Sequence, residues 1–293
     1  MDPHPPGDDY FVGVPPTLPS LPSQGVVAPH RAAQGSRRGR DLLAVTILAA
    51  LAVAALALAW NRASLAGWSP PVPGLASDAA GQGTYRFEYV HSDGAPLRWD
   101  PCTPIRYVTN LTRAPYPTAL ADVQAALSRV TDATGLTFTF AGETDEPPHD
   151  ERDPVQPDRY GSADWAPVLI SWTDPAQVPS LQGPVVGVAQ IVPAGAQPGL
   201  VSGAIYLDAT DTLRPGFGTG RSWGTVLLHE AGHLVGLGHV DDEREIMHPG
   251  GERGRAAATV RWGVGDSTGL RQLGLESGCQ RSPQPPPVAR LRA

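Results

Sequence analysis

Lysine is absent from this chain: all 22 of its basic residues are arginine, set against 29 acidic ones. The net charge of −7 argues against nucleic acid as the main partner, because neutralising phosphates requires a basic face. Sulfur is nearly as scarce, with two cysteines and two methionines. Cys102 and Cys279 lie far apart, which leaves two readings: buried free thiols in the cytoplasm, or a disulfide in an exported domain. The missing lysine, beside 33 glycines and 32 prolines, points to a GC-rich coding sequence and says nothing about mechanism.

Charge-free apolar stretches of membrane-spanning length are also missing, with one exception. "LLAVTILAALAVAALALAW" runs from Leu42 to Trp60, and as a helix it would span about 28 Å, close to the hydrocarbon thickness of a bilayer. Arg31, Arg37, Arg38 and Arg40 precede it and only Arg62 follows closely, which puts the N-terminus in the cytoplasm and residues 61–293 outside. The rival is secretion after signal cleavage, since "SLA" before Gly67 has the small residues of a cleavage site. A lead of about 40 residues is long for a cleaved signal and favours an anchor. Both routes export the remainder, so a Cys102–Cys279 disulfide is expected.

Residues 1–41 and 281–293 read as disordered tails and 61–84 as a linker, leaving a folded domain over 85–280. Strands are expected at 104–110, 136–140, 166–172, 185–192 and 203–209. Leu120, Val123, Leu127 and Val130 give an amphipathic helix over 117–133, with Pro117 in its first turn. The acidic, proline-rich stretch 142–161 reads as a solvated loop. Its carboxylates are of the kind that binds calcium, but no calcium-loop spacing supports that. The order of elements describes an α+β domain, one mixed sheet carrying two helices.

The run "LLHEAGHLVGLGHVDDEREIMHP" carries the chemistry. His229 and His233 lie four apart, on one helical face, so both imidazoles can meet one ion. Glu230 points about 100° away, close enough to act on a metal-bound water without being a ligand. On an unbroken helix His239 would stand roughly 120° around the axis from His233, out of reach. Gly236 and Gly238 allow the chain to turn and bring His239 back. Two histidines on a helix are often merely solvated; the third, with its glycines, argues for a site.

With Met247 eight residues beyond His239, the motif H-E-x-x-H-x-x-G-x-x-H plus methionine resembles the metzincin zinc endopeptidases, and among them the matrixins. "DSTGLRQLG" (266–274) resembles their final helix, with Asp266 as the expected N-cap. "RWDPCTPIRYVTN" is similar to the start of small secreted or membrane-anchored matrixin-like proteins of actinobacteria.

The resemblance implies a zincin fold: a mixed sheet, an active-site helix, a second long helix and a C-terminal helix; the apolar run 42–60 adds one transmembrane helix before it. It implies one catalytic zinc on His229, His233 and His239, Glu230 as general base, Met247 as an apolar floor and a peptide or protein substrate. By analogy, residues 185–192 are the edge strand that receives substrate. The domain is expected to act as a monomer.

The sequence also departs from the family. No histidine lies between His149 and His229, so the family's second, structural zinc is not expected. Val240 stands where matrixins have serine, and Pro249 where other metzincins have a tyrosine ligand. No cysteine-switch propeptide is visible, and Cys102 is read as a disulfide partner and not as a zinc cap. His248 is read as part of a pocket wall or as exposed. The rival to an enzyme is a zincin-fold binding protein that has lost catalysis; with base and ligands all present, the enzyme is favoured.

Overall fold

The computed structural model describes residues 72–74, 76–78, 83–194, 199–218, 220–249 and 260–285. The apolar run 42–60, read as an anchor or a signal, the tail before it and the first part of the linker lie outside these residues. Among the described residues, no helix is long and apolar enough to cross a membrane.

In chain order the elements are β1 (Val72–Pro73), β2 (Ala76–Asp78), β3 (Thr84–Arg86), β4 (Tyr89–Val90), β5 (Ile105–Asn110), α1 (Ala119–Thr134), β6 (Phe138–Glu143), the one-turn helix α2 (Pro157–Tyr160), β7 (Val168–Thr173), β8 (Gly187–Pro193), β9 (Leu200–Asp208), α3 (Trp223–Val235) and α4 (Val264–Leu273). The last five strands form one mixed sheet in the order β6-β5-β7-β9-β8. All neighbours are parallel except β8, which runs antiparallel to β9 at the sheet's edge. Its α1 and α3 are the two expected helices, and α4 is the C-terminal one.

Side-chain alternation decides which face each residue serves. Along β7, Val168, Ile170 and Trp172 join the core under the helices, with Val123, Leu127 and Val130 of α1 and Leu227 and Leu228 of α3. Leu169 points the other way, into a smaller core with Val108, Tyr206, Val178 and Leu181. Buried on both faces, β7 reads as a continuous apolar run. Helix α1 starts two residues after Pro117, with Thr118 as its N-cap residue, and stops at Gly135, whose φ of 73° is the left-handed conformation glycine adopts at low cost.

Three stretches differ from the sequence reading. Within the supposed linker, β1 pairs with β4 and β2 with β3, because this segment's backbone groups find partners in the following strands. At the other end, residues 281–285 are docked where a loose tail is expected. Asp100 accepts hydrogen bonds from the Gln280 N–H (3.2 Å) and the Ser282 hydroxyl (2.7 Å), and Trp165 Nε1 donates to the Pro283 carbonyl (2.8 Å). The Cys102–Cys279 disulfide is formed beside this contact, with Cα atoms 5.4 Å apart. Third, the acidic loop is not wholly solvated: Glu146 and Arg152 are buried in it as an ion pair.

Candidate metal centre

Helix α3 is apolar on almost every side and lies buried against α1 and β8, which fixes the two histidines it carries. It ends where the glycine reading places the turn. Gly236 has φ of 115°, and the Leu237 N–H closes on the Gly232 carbonyl at 2.9 Å. The chain reverses there and returns His239 to the ring faces of His229 and His233.

The three Nε2 atoms form a near-equilateral triangle: 3.2 Å from His229 to His233, and 3.0 Å from His239 to each of them. These contacts are not hydrogen bonds. His229 Nδ1 faces the Ile246 carbonyl at 2.7 Å and His233 Nδ1 faces the Leu237 carbonyl at 2.8 Å. A carbonyl only accepts, so both Nδ1 atoms carry the proton and both Nε2 atoms turn bare lone pairs inward. Lone pairs converging this closely repel unless a cation sits among them. Three nitrogens bound to one tetrahedral zinc would be roughly 3.3–3.4 Å apart, from bonds of about 2.0–2.1 Å. The donor set therefore fits a zinc ion held on three sides, the fourth open to the cleft.

The electrostatics agree. Burial, then the charges of His233 and other neighbours, push the His229 imidazole down to about 3. Burial, then His233, push His239 down to about 4, so both rings are neutral near pH 7, the form in which an imidazole can hold a metal. At His233 burial acts the same way but is outweighed by its hydrogen bond to the Glu88 carboxylate and the charges of Glu230 and Glu88, which raise it. Negative groups that would favour a proton there favour a metal ion as well.

Glu230 lies nearly buried on α3 and lines a cleft of ≈ 910 Å³ with the three histidines and β8. Strand β8 comes close because Gly187 lacks a side chain. A Cβ there would stand 2.9 Å from Glu230 Cγ and Oε1. Residues 185–192, the expected edge strand, thus form the wall beside the cluster. Met247 is fully buried against the same helix, where a Cβ on Gly232 would collide with its sulfur. Its carbonyl accepts from the Val240 N–H (3.2 Å), tying the turn to the residue after His239. His248 is half-buried and stands outside the histidine triangle.

One sequence expectation is corrected here. Gly263 occupies the N-cap of α4, and Asp266 sits at the third helical position. Its buried carboxylate accepts from the N–H groups of Gly263 (3.1 Å), Ile246 (2.5 Å) and Met247 (3.4 Å). The methionine turn offers two donors that an N-cap side chain would leave unmet. In return, Glu245 accepts from the N–H groups of Gly265 (2.9 Å) and Asp266 (2.8 Å) at the start of α4. Glu245, Gly187 and Glu88 escape the sequence reading: none carries a spacing signal, since each acts through contacts far away in the chain.

The family model of the matrixins matches residues 168–273, from β7 to the end of α4. No curated protein matches the chain. The match supports a zinc metallopeptidase in general, and the histidine triangle lies within it.

Proposed function

We propose that this chain, a matrixin-like metzincin over residues 168–273, is a zinc-dependent endopeptidase displayed outside the cell on an anchor at 42–60, with Glu230 as its general base. The observation that carries the reading is the convergence of three Nε2 lone pairs beside a nearly buried glutamate, in a cleft walled by an edge strand.

Zinc held by His229, His233 and His239 would supply a Lewis acid and an acidified water. The chain's own residues do the rest. Glu230 takes the proton from the attacking water and delivers it to the leaving amine. Gly187 leaves room for that carboxylate and keeps β8 against it. The outer edge of β8 has no strand partner among the described residues, so an extended peptide can add there through its backbone groups, with its scissile bond brought over the cluster. Ile246 and Leu237 hold two of the imidazoles in the ligand tautomer.

The test is cleavage of a diverse peptide mixture by the full chain, with mass spectrometry reading the cut sites. Cuts should vanish in Glu230→Ala and in wild type treated with a zinc chelator. One zinc per chain with no cuts would sink the enzyme reading in favour of a binding protein. A folded chain without zinc would sink the site itself. Gly187→Ala should retain zinc and lose up to about 100-fold in kcat, because misplacing a reacting group by about 1 Å costs that much; unchanged kcat would show that β8 does not set the position of Glu230.

A further inference from the structure

The metal centre is braced by residues that precede it by more than half the described chain. The segment Arg86–Glu88 lies antiparallel along the turn that returns His239. Glu88 N–H donates to the Gly236 carbonyl (2.7 Å), Gly238 N–H donates to the Arg86 carbonyl (2.8 Å), and Phe87 bridges to Leu237. Gly238 permits this approach, since a Cβ there would stand 3.2 Å from the Phe87 carbonyl oxygen and 3.3 Å from Glu88 Oε2.

The pairing has a consequence for His233. Its Nδ1–H already points at the carbonyl of Leu237, the residue bridged to Phe87. Glu88 Oε2 lies 3.7 Å from the same nitrogen, on the cleft wall. A carboxylate beside the distal nitrogen of a ligand imidazole increases electron density at the metal-binding one and fixes the ring's orientation. Glu88 is only half-buried, so it is held there by its backbone pairing and not by enclosure.

We propose that Glu88 is a positioning residue of the metal centre, acting through His233 Nδ1 to strengthen that imidazole as a ligand. The proposal rests on the zinc reading above, and the experiment separates the two. The full chain, purified in mild detergent, is compared with Glu88→Gln and Glu88→Ala. Zinc affinity is measured by competition with a chromophoric chelator, and the d–d absorption of the Co2+ form is recorded. Glu151→Gln is the control: Glu151 is an exposed carboxylate also lining the cleft, and its loss makes the same change in charge.

Both Glu88 variants should bind zinc about 10-fold or more weakly, the usual effect of losing such a partner, and shift the cobalt spectrum. The metal-free melting temperature should stay the same, and Glu151→Gln should behave as wild type. Unchanged affinity in Glu88→Gln overturns the proposal, as does an equal loss in Glu151→Gln, which would mean general cleft charge. A wild-type chain that takes no zinc overturns both this and the peptidase reading.

Discussion

Two buried carboxylate clusters stabilise this domain by opposite means. In the loop after β6, Glu146 is satisfied by a cation: Arg152 Nε and Nη2 bond its two oxygens at 2.6 and 2.9 Å. Tyr160 (2.6 Å) and Gln156 (2.7 Å) add further donors. At the methionine turn, Glu245 and Asp266 are equally buried, and among the described residues their carboxylates accept from backbone N–H groups. The consequences for charge diverge. Burial would raise Glu146, but the hydrogen bonds and charge of Arg152, with Tyr160 and Gln156, hold it below the ordinary range. At Asp266, burial and the charge of Glu245 raise the carboxyl to about 7, against its three N–H donors. A carboxylate paired with an arginine stays charged at ordinary pH; one that faces a second buried carboxylate makes the methionine turn sensitive to protons.

The largest effect should come from breaking the compensated cluster. Arg152→Leu leaves Glu146 buried and charged without its cation, and also removes donors to the Ser202 hydroxyl (3.0 Å) and the Gly203 carbonyl (3.2 Å) of β9. Removing one partner of a buried ion pair costs about 3–5 kcal/mol, to be read by urea unfolding. The double variant Glu146→Leu with Arg152→Leu should recover part of that loss, and only part, because Tyr160 and Gln156 then lose their acceptor. A cost below about 1 kcal/mol for the single change would place the pair among solvent-exposed salt bridges and erase the contrast.

The same contrast explains what could be read from the sequence. Local periodicity made the fold legible: the alternation in "PIRYVTN" and the spacing of Val123, Leu127 and Val130 placed β5 and α1 within a residue or two. It also made the histidines legible, because positions four apart share a helical face and Gly236 and Gly238 mark a reversal. Arg152 was not legible. In a run of acidic residues and prolines, an arginine bound for burial looks like one bound for solvent until β9 supplies its other partners. Asp266 was half legible, as an acid at a helix start; its reach to Ile246 and Met247 depends on how α4 crosses the turn. Glu88 had no local sign at all, since its partner lies at the far end of the domain.

The smaller effect, and the one that sharpens the comparison, is the pH dependence of Asp266. Its carboxyl titrates near 3.8 when unfolded and at about 7 when folded. Between those values the folded chain holds a proton that the unfolded chain has released. Stability from this group therefore falls as pH rises from about 4 to about 7, by at most about 1.4 kcal/mol per pH unit for one proton, and is flat outside that window. His229 and His239, lowered to about 3 and about 4, act in the opposite sense, adding stability as pH rises towards 6.5. Total stability thus mixes both trends, but the histidine part is common to wild type and Asp266→Asn and cancels in their difference. The measurement is urea unfolding of the metal-free wild type and Asp266→Asn at half-unit steps from pH 4 to 8. The wild-type advantage should be greatest near pH 4 and shrink steadily to pH 7, because the asparagine neither ionises nor repels Glu245. A difference that stays constant from pH 4 to 7 would mean that the N–H groups of Ile246, Met247 and Gly263 hold Asp266 charged throughout, as Arg152 does for Glu146, and the two clusters would then be alike.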